Sequence, residues 1–517
     1  MVAQNCQFRV PPALKTTGRI NTAWLAFLGS VALLAVLVGL LLWNPQRSVA
    51  VSSPLVVYCA AGIKAPVEVV AREYERLFGV PIQLQYGGSQ TLLASIEVSK
   101  RGDLYLPADD SYLAMARDKN LIAETIPLAR MHAMLAVKKG NPKHLSAFDD
   151  LLRSDVRLAQ ANPDAAAIGK LTREALQKTG QWEAIKARTI VFKPTVNDVA
   201  NDVKLGTVDA GLLWNALARQ YPDLEFIALP ALTNIQSRVA IAVLQSSTQP
   251  TAALRFARYL GARDKGLKQF QDNGFEAVAG ETWADRPELR LFSGAMLRPA
   301  IEQTLTAFQD REGVAVTCVY NGCGILVSQM RTGQHPDAYF ACDKSFMAQV
   351  SDLFLDAEEI SQNQLVILVP KGNPRHIESL KDLGQPGLKL GVGHEKQCAL
   401  GVLTKTTLLT NGIYGAVMKN VTVQSPTGDL LVNQLRTGSL DAVIAYVSNA
   451  TGSKNELEPI AIDIPCALAA QPIAIGRETP FPQLTLRLLD AIKSRASKTR
   501  FENAGFKWQA GESHGPK

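Results

Sequence analysis

The chain has seven cysteines but no CxxC pair, which removes the zinc-ribbon and thioredoxin-like readings such a pair carries. The stretch IGKLT from Ile168 lacks the upstream glycine and the Ser or Thr after lysine that a phosphate loop needs, so the chain encodes no ATPase. Acids are absent from the first fifty residues, where Arg9, Lys15, Arg19 and Arg47 supply more than half of the formal net charge of +7. What remains is spread thinly over the rest of the chain, too little to argue for nucleic acid. No acid/base or nucleophile constellation is visible. No catalytic residue, no enzyme activity and no cofactor are therefore expected. Hydrophobic content of 47% and charge of 20% are ordinary for folded protein.

The run Ala23 to Trp43 (AWLAFLGSVALLAVLVGLLLW) has 21 residues, no charge and a tryptophan near each end. That is enough to cross a bilayer as a helix, in which every backbone amide is bonded internally. Its positive flank comes first, which predicts a cytoplasmic N-terminus and an exported remainder. A cleaved signal peptide is the alternative, with Ser48-Val49-Ala50 as its cleavage site, although its apolar run is normally about 7–15 residues. No cysteine follows closely, so a lipoprotein has no support. The expectation is a single-pass inner-membrane anchor over 23–43, behind a cytoplasmic segment over 1–22, with the rest in the periplasm or cell exterior.

The rest of the chain repeats itself. YGGSQTLLASIEVSKRGDLYLPAD (Tyr86 to Asp109) returns without a gap as YNGCGILVSQMRTGQHPDAYFACD (Tyr320 to Asp343). Tyr86 pairs with Tyr320, Asp103 with Asp337, Tyr105 with Tyr339 and Asp109 with Asp343. VKKGNPKHL (Val137 to Leu145) returns as VPKGNPRHI, KLGTVDAGLLW (Lys204 to Trp214) as RTGSLDAVIAY, and FQDNGF (Phe270 to Phe275) as FENAGF. The period is far longer than that of a solenoid, so each copy should bury its own core. The expected domains are 52–278 and 288–509, joined by a polar linker over 279–287 and followed by a disordered tail over 510–517.

Within the first copy, Pro54 to Ala60 reads as a buried strand. A helix follows near Pro66, with Val67, Val70, Ala71, Tyr74 and Leu77 at helical spacing and Gly79 at its end. Val80 to Tyr86 and Asp103 to Pro107 are further strands. Arg130 to Val137 reads as a strand leaving the first lobe, and Arg238 to Leu244 as the return. The pattern predicts an α/β fold of two lobes with a largely parallel sheet. Three strand-to-helix loops, Ala60 to Ala65, Gly87 to Thr91 and Ala161 to Gly169, fall at the strand ends where open sheets bind ligands. Helix starts there present unpaired N–H groups suited to an oxyanion. Lys64 and Arg298 align across the copies and read equally well as solvated side chains. His144 and His376 also align, beside the KGNP turns, and read as surface loop residues.

On these residues the chain resembles the periplasmic molybdate-binding proteins of ABC importers, a type II periplasmic-binding fold. The resemblance rests on YGGSQTLLASI followed by GDLYLPAD, on GKLTREALQKTGQW (Gly169 to Trp182) and on the terminal NGF. It covers both copies, Pro54 to Phe275 and Leu289 to Phe506. It implies two tandem domains, each of two lobes with a ligand cleft. It also implies an oxyanion cage made of two serines on one lobe, and two backbone amides and a tyrosine on the other. In the first copy Ser89 takes one serine position, and Gly62 stands at the other without a hydroxyl. The amide positions fall near Ile168 and at Val199. Trp214 takes the tyrosine position, where its indole N–H could donate; the plainer reading is a core aromatic.

In the second copy the same positions hold Met296, Cys323, Leu400, Leu431 and Tyr446. Cys342, Cys398 and His394 map to the rim of that cleft. Four readings stand open: a modified anion cage or inert packing, a soft-metal or thio-anion site on Cys323, Cys342, Cys398 and His394 with Met296, a Cys323–Cys398 disulfide, or a reactive cysteine, for which no triad pattern is visible. The function implied is a solute-binding protein for a tetrahedral oxyanion, molybdate or tungstate, which feeds an ABC permease. The alternative is a membrane-anchored sensor or scaffold that binds an anion or a soft metal such as copper or zinc without transport.

Overall fold

The computed structural model describes residues 53–453 and 455–511. The expected anchor over 23–43, the segment over 1–22 and residues 512–517 of the expected tail lie outside them. Among the described residues no helix is long and apolar enough to cross a membrane.

Strand β1 (Leu55–Ala60) is nearly all buried and pairs in parallel with β2 (Ile82–Gly87) and β3 (Leu104–Leu106). The helix Lys64–Phe78 buries Val67, Val70, Ala71 and Tyr74, as the spacing predicts. Leu77, expected on that face, is 48% exposed. It sits in the last turn, just before Gly79 leaves the helix at φ 67°. β4 (Ile122–Lys138) begins well before the strand expected over 130–137. The copy is completed by β5 (Leu158–Ala161), β6 (Thr189–Lys193), β7 (Ala210–Trp214), β8 (Leu224–Ile227), β9 (Gln236–Leu244) and β10 (Glu276–Ala277). The first lobe runs β2-β1-β3-β9-β4 and the second continues β4-β7-β5-β6. The early part of β4 pairs with β9 and the part from Ala133 onward with β7. One strand thus belongs to both lobes, and a bend in it moves one against the other.

The second copy repeats this order. Its strands are β11 (Glu288–Gly294), β12 (Ala315–Asn321), β13 (Ala338–Phe340), β14 (Glu358–Pro370), β15 (Leu390–Gly393), β16 (Val421–Ser425), β17 (Ala442–Tyr446), β18 (Leu457–Ala461), β19 (Leu468–Ile475) and β20 (Lys507–Trp508). They run β12-β11-β13-β19-β14-β17-β15-β16, and each copy buries a separate hydrophobic core.

Most of the repeated residues hold this frame. Asn141 donates to and accepts from the backbone of Leu145, and Asn373 does the same with Ile377. Those turns set Asn141, His144, Asn373 and His376 at positive φ, so the aligned histidines are loop residues. Gly274 and Gly505 have φ of 83° and 85°, which lets Phe275 and Phe506 fold back onto Phe270 and Phe501 at 5.2 and 5.3 Å. Asp103 accepts from the Val56 amide and Asp337 from that of Arg290. Lys64 lies over the Tyr86 ring and Arg298 over that of Tyr320.

The copies meet through their first lobes. Glu312, at the end of helix Arg298–Glu312, is gripped by Arg258 from helix Pro250–Leu260 of the first copy and by Arg487 from helix Pro482–Ile492 of its own. Glu124 on β4 takes a two-pronged bond from Arg311. The linker residue Glu281 accepts from the amides of Gln483 and Leu484 at the start of helix Pro482–Ile492, a favourable place for a carboxylate. Among the described residues, no hydrogen bond between the copies involves a second lobe.

Candidate functional site

In the first copy the strand ends converge on one small cavity. It is walled by Ala60 to Gly62, Gly87 to Ser89, Ala108, Ala166 to Ile168, Thr195, Val196 and Trp214. Its volume, as space open to the centre of a water-sized sphere, is about 20 Å³. One water needs roughly 10–15 Å³ on that measure, so the cavity suits a compact group rather than a sugar or a peptide. No charged side chain lines it. The donors are the starts of helical segments: Ala61–Ile63, Ser89–Ser99, Ala167–Lys178 and Val196–Leu205. The first N–H groups of a helix have no partner within it and carry a partial positive charge.

Ser89 is 1% exposed, and its Oγ accepts the Ala108 amide at 3.0 Å. That bond uses a lone pair and leaves the hydroxyl proton free for a ligand. Tyr105 donates to the Ser89 carbonyl at 2.7 Å and fixes the turn. The lobes close across this point: the Gln90 amide, on the first lobe, bonds the Ala165 carbonyl of the second at 3.0 Å. Gly88 makes that approach possible, because a Cβ there would strike the carbonyls of Ala165 and Pro194. Gly62 and Trp214 face one another. A Cβ on Gly62 would lie 3.4 Å from Trp214 Cδ1 and 3.0 Å from Val196 Cγ1. The indole and the valine take up space that a serine at position 62 would need.

Four of the five residues expected in this cleft, Gly62, Ser89, Ile168 and Trp214, line it; Val199 does not. Its N–H bonds the Thr195 carbonyl at 3.4 Å and its side chain packs against Gly211. Val196, one turn earlier, lines the cavity instead. The signal was in the sequence. Thr195 to Asp198 form a capping box, with Thr195 Oγ1 accepting from the Asp198 amide at 3.3 Å, and it puts the helix start at Val196.

The second cleft is built differently. Cys323 and Cys342 form a disulfide with Cα atoms 6.4 Å apart. Cys323 opens helix Cys323–Arg331 at the place of Ser89, and Cys342 follows β13 at the place of Ala108. The expected soft-metal set is therefore not assembled. Two of its sulfurs are bonded to each other, the Cys398 thiol lies 3.6 and 3.5 Å from the carbonyls of His394 and Ser425, its two acceptors, and His394 Nδ1 accepts from the Lys396 amide. Among the described residues no group of three or more His, Cys, Asp or Glu is placed to hold a metal. The Cys323–Cys398 pairing is also overturned: Cys398 caps helix Ala399–Thr410 on the opposite lobe and is a free thiol. Burial pushes its pKa up. Met296 and Leu400 are buried, and Leu431 packs against Gly391 as Val199 packs against Gly211. Tyr446 ends β17 where Trp214 ends β7, and its hydroxyl is buried with no partner among the described residues.

The model of one family, bacterial extracellular solute-binding protein, matches the chain twice, over residues 55–276 and 289–507. The chain belongs to this family. A Haemophilus influenzae protein described as a binding protein is 27% identical over 225 residues, covering 43% of this chain and 91% of that one. The molybdate-binding protein ModA of Mycobacterium tuberculosis is 26% identical over 233 residues, or 44% of this chain and 87% of its own. The solved periplasmic molybdate-binding protein of Azotobacter vinelandii gives a TM-score of 0.38 at 16% identity, over 43% of this chain and 98% of that one. Each relative is thus about the length of one copy. This solute-binding protein carries two such units in one chain.

Proposed function

We propose that the first cleft binds a small tetrahedral oxyanion, molybdate or tungstate, and that the chain hands it to an ABC permease. The observation that carries this reading is the first cavity, which no charged side chain lines and which is walled by the starts of three α-helices and the Ser89 hydroxyl. Helix-start N–H groups and a serine hydroxyl are donors, which favours an anion bearing no proton of its own. The names of the molybdate-binding relatives support the choice of anion. No chemistry is done on the ligand; selectivity comes from cavity size and donor placement. The apolar run over 23–43 would tether both copies to the inner membrane and hold them near the permease.

Calorimetric titration of the full chain with tungstate, molybdate and sulfate tests the reading. The expected result is tight binding of the first two at the first cleft, weakened by Ser89→Ala. Heat from none of the three anions would end the oxyanion reading. Alkaline washing of cell membranes tests the tether: the chain should stay with the membrane fraction, and release would refute it.

A further inference from the structure

The two clefts can be compared atom by atom, because the chain carries both. In the first, the Ala108 amide donates to Ser89 Oγ at 3.0 Å; in the second, the Cys342 amide donates to Cys323 Sγ at the same 3.0 Å. The acceptor half of the serine's role is therefore kept. The donor half is lost, since a disulfide sulfur has no hydrogen. On the facing lobe, Tyr446 is 2% exposed and its hydroxyl has no partner among the described residues. A buried hydroxyl without an acceptor is costly; natural proteins keep few of them, and each asks for an explanation. Burial pushes the phenol pKa up, and Asp343 and Cys398 are close enough to push it further. The phenol thus keeps its proton and can donate it to an acceptor that the chain does not supply.

We propose that the second cleft is a redox-gated anion site, shut as the Cys323–Cys342 disulfide and completed when a dithiol reduces it. This rests on the oxyanion reading of the first cleft for its ligand class, and on the pairing of the two copies for its geometry. In the step, the dithiol attacks the disulfide at Cys342, the residue that is 5% exposed where Cys323 is fully buried. The S–S bond breaks, two electrons and two protons pass to the cysteines, and the dithiol closes to its own disulfide. Cys323 then holds an S–H where Ser89 holds an O–H, with Tyr446 as the facing donor.

The test is equilibrium dialysis of the full chain against tungstate, once oxidised and once reduced with a dithiol and desalted under nitrogen. Free thiols are counted in each sample. The reduced chain should show two more thiols and take up one more equivalent of tungstate. The double substitution Cys323→Ser with Cys342→Ala, which copies the first cleft, should take up that equivalent without reductant. Ser89→Ala should weaken the redox-independent equivalent and spare the redox-dependent one. Equal uptake by oxidised and reduced chain, with no gain in the double variant, would overturn the gate. Uptake of nothing when oxidised and one equivalent when reduced would refute the reading of the first cleft and leave the gate standing.

Discussion

Arg258 of the first copy donates from Nη1 to both the main-chain carbonyl and the carboxylate of Glu312 in the second, at 2.6 and 3.1 Å. Arg487 holds the same carboxylate from the other side at 2.6 and 3.1 Å. All three side chains are under a tenth exposed. The first lobes are thus joined through a buried charge cluster, while among the described residues no hydrogen bond between the copies reaches a second lobe.

Removing the shared charge should be costly. Glu312→Gln strands two buried guanidinium groups, and breaking a buried pair from one side costs about 3–5 kcal/mol. Urea unfolding should show a midpoint well below that of the parent. Loss of a few tenths of a kcal/mol would mean that water reaches the cluster and the junction is loose.

The same carboxylate predicts a pH signature. Burial alone would raise the pKa of Glu312, but Arg487 and then Arg258 outweigh burial and leave it below the usual glutamate value. A depressed carboxylate stabilises the fold above its unfolded pKa of about 4.3, and that gain is lost as pH falls through the folded value. Glu281 works the other way: burial raises its pKa, so its contribution is present at low pH and lost as pH rises through the folded value. The stability gap between parent and Glu312→Gln should stay flat from about pH 8 to pH 5 and narrow below about pH 4. A gap that widens on acidification would contradict the assigned sign.

Gly62 should not tolerate a serine by itself. Its added Cβ would stand 3.0 Å from Val196 Cγ1, and overpacking of this kind typically costs about 1–3 kcal/mol. Gly62→Ser should lower the melting temperature. Adding Val196→Ala should restore much of it and gain a hydroxyl donor, which tightens oxyanion binding by up to about tenfold. If the single and double variants melt alike, the crowding argument fails.

Ser89→Ala should act on both binding and stability. It removes one donor to the anion, about 1.5–3 kcal/mol for a bond to a charged group, or roughly a 10- to 150-fold loss of affinity. It also leaves the buried Ala108 amide without an acceptor, which costs about 1–3 kcal/mol of stability. Calorimetry and urea unfolding on one preparation read both effects. Unchanged affinity would remove Ser89 from the cage.

The duplication, the α/β class and the two-lobe layout were legible in the chain itself. The repeated residues are mostly those with one conformational or bonding task, and such tasks leave a local mark. Gly274 and Gly505 need positive φ, Asn141 and Asn373 close a turn on a residue four positions on, and Asp103 and Asp337 take a strand amide. Periodicity found the buried face of helix Lys64–Phe78 and missed only Leu77 at its fraying end.

What the order of residues could not decide is which atoms meet. Cys342 pairs with Cys323 rather than with Cys398, because the first two flank one strand end while the third sits on the facing lobe. Val196 rather than Val199 reaches the cavity, because the helix start sets which amide is left over. The Arg258–Glu312–Arg487 cluster joins residues far apart in sequence. Local propensity acts through neighbours along the chain and can be read there. Contacts across lobes and copies depend on how the finished elements pack, and only the tertiary structure carries that information.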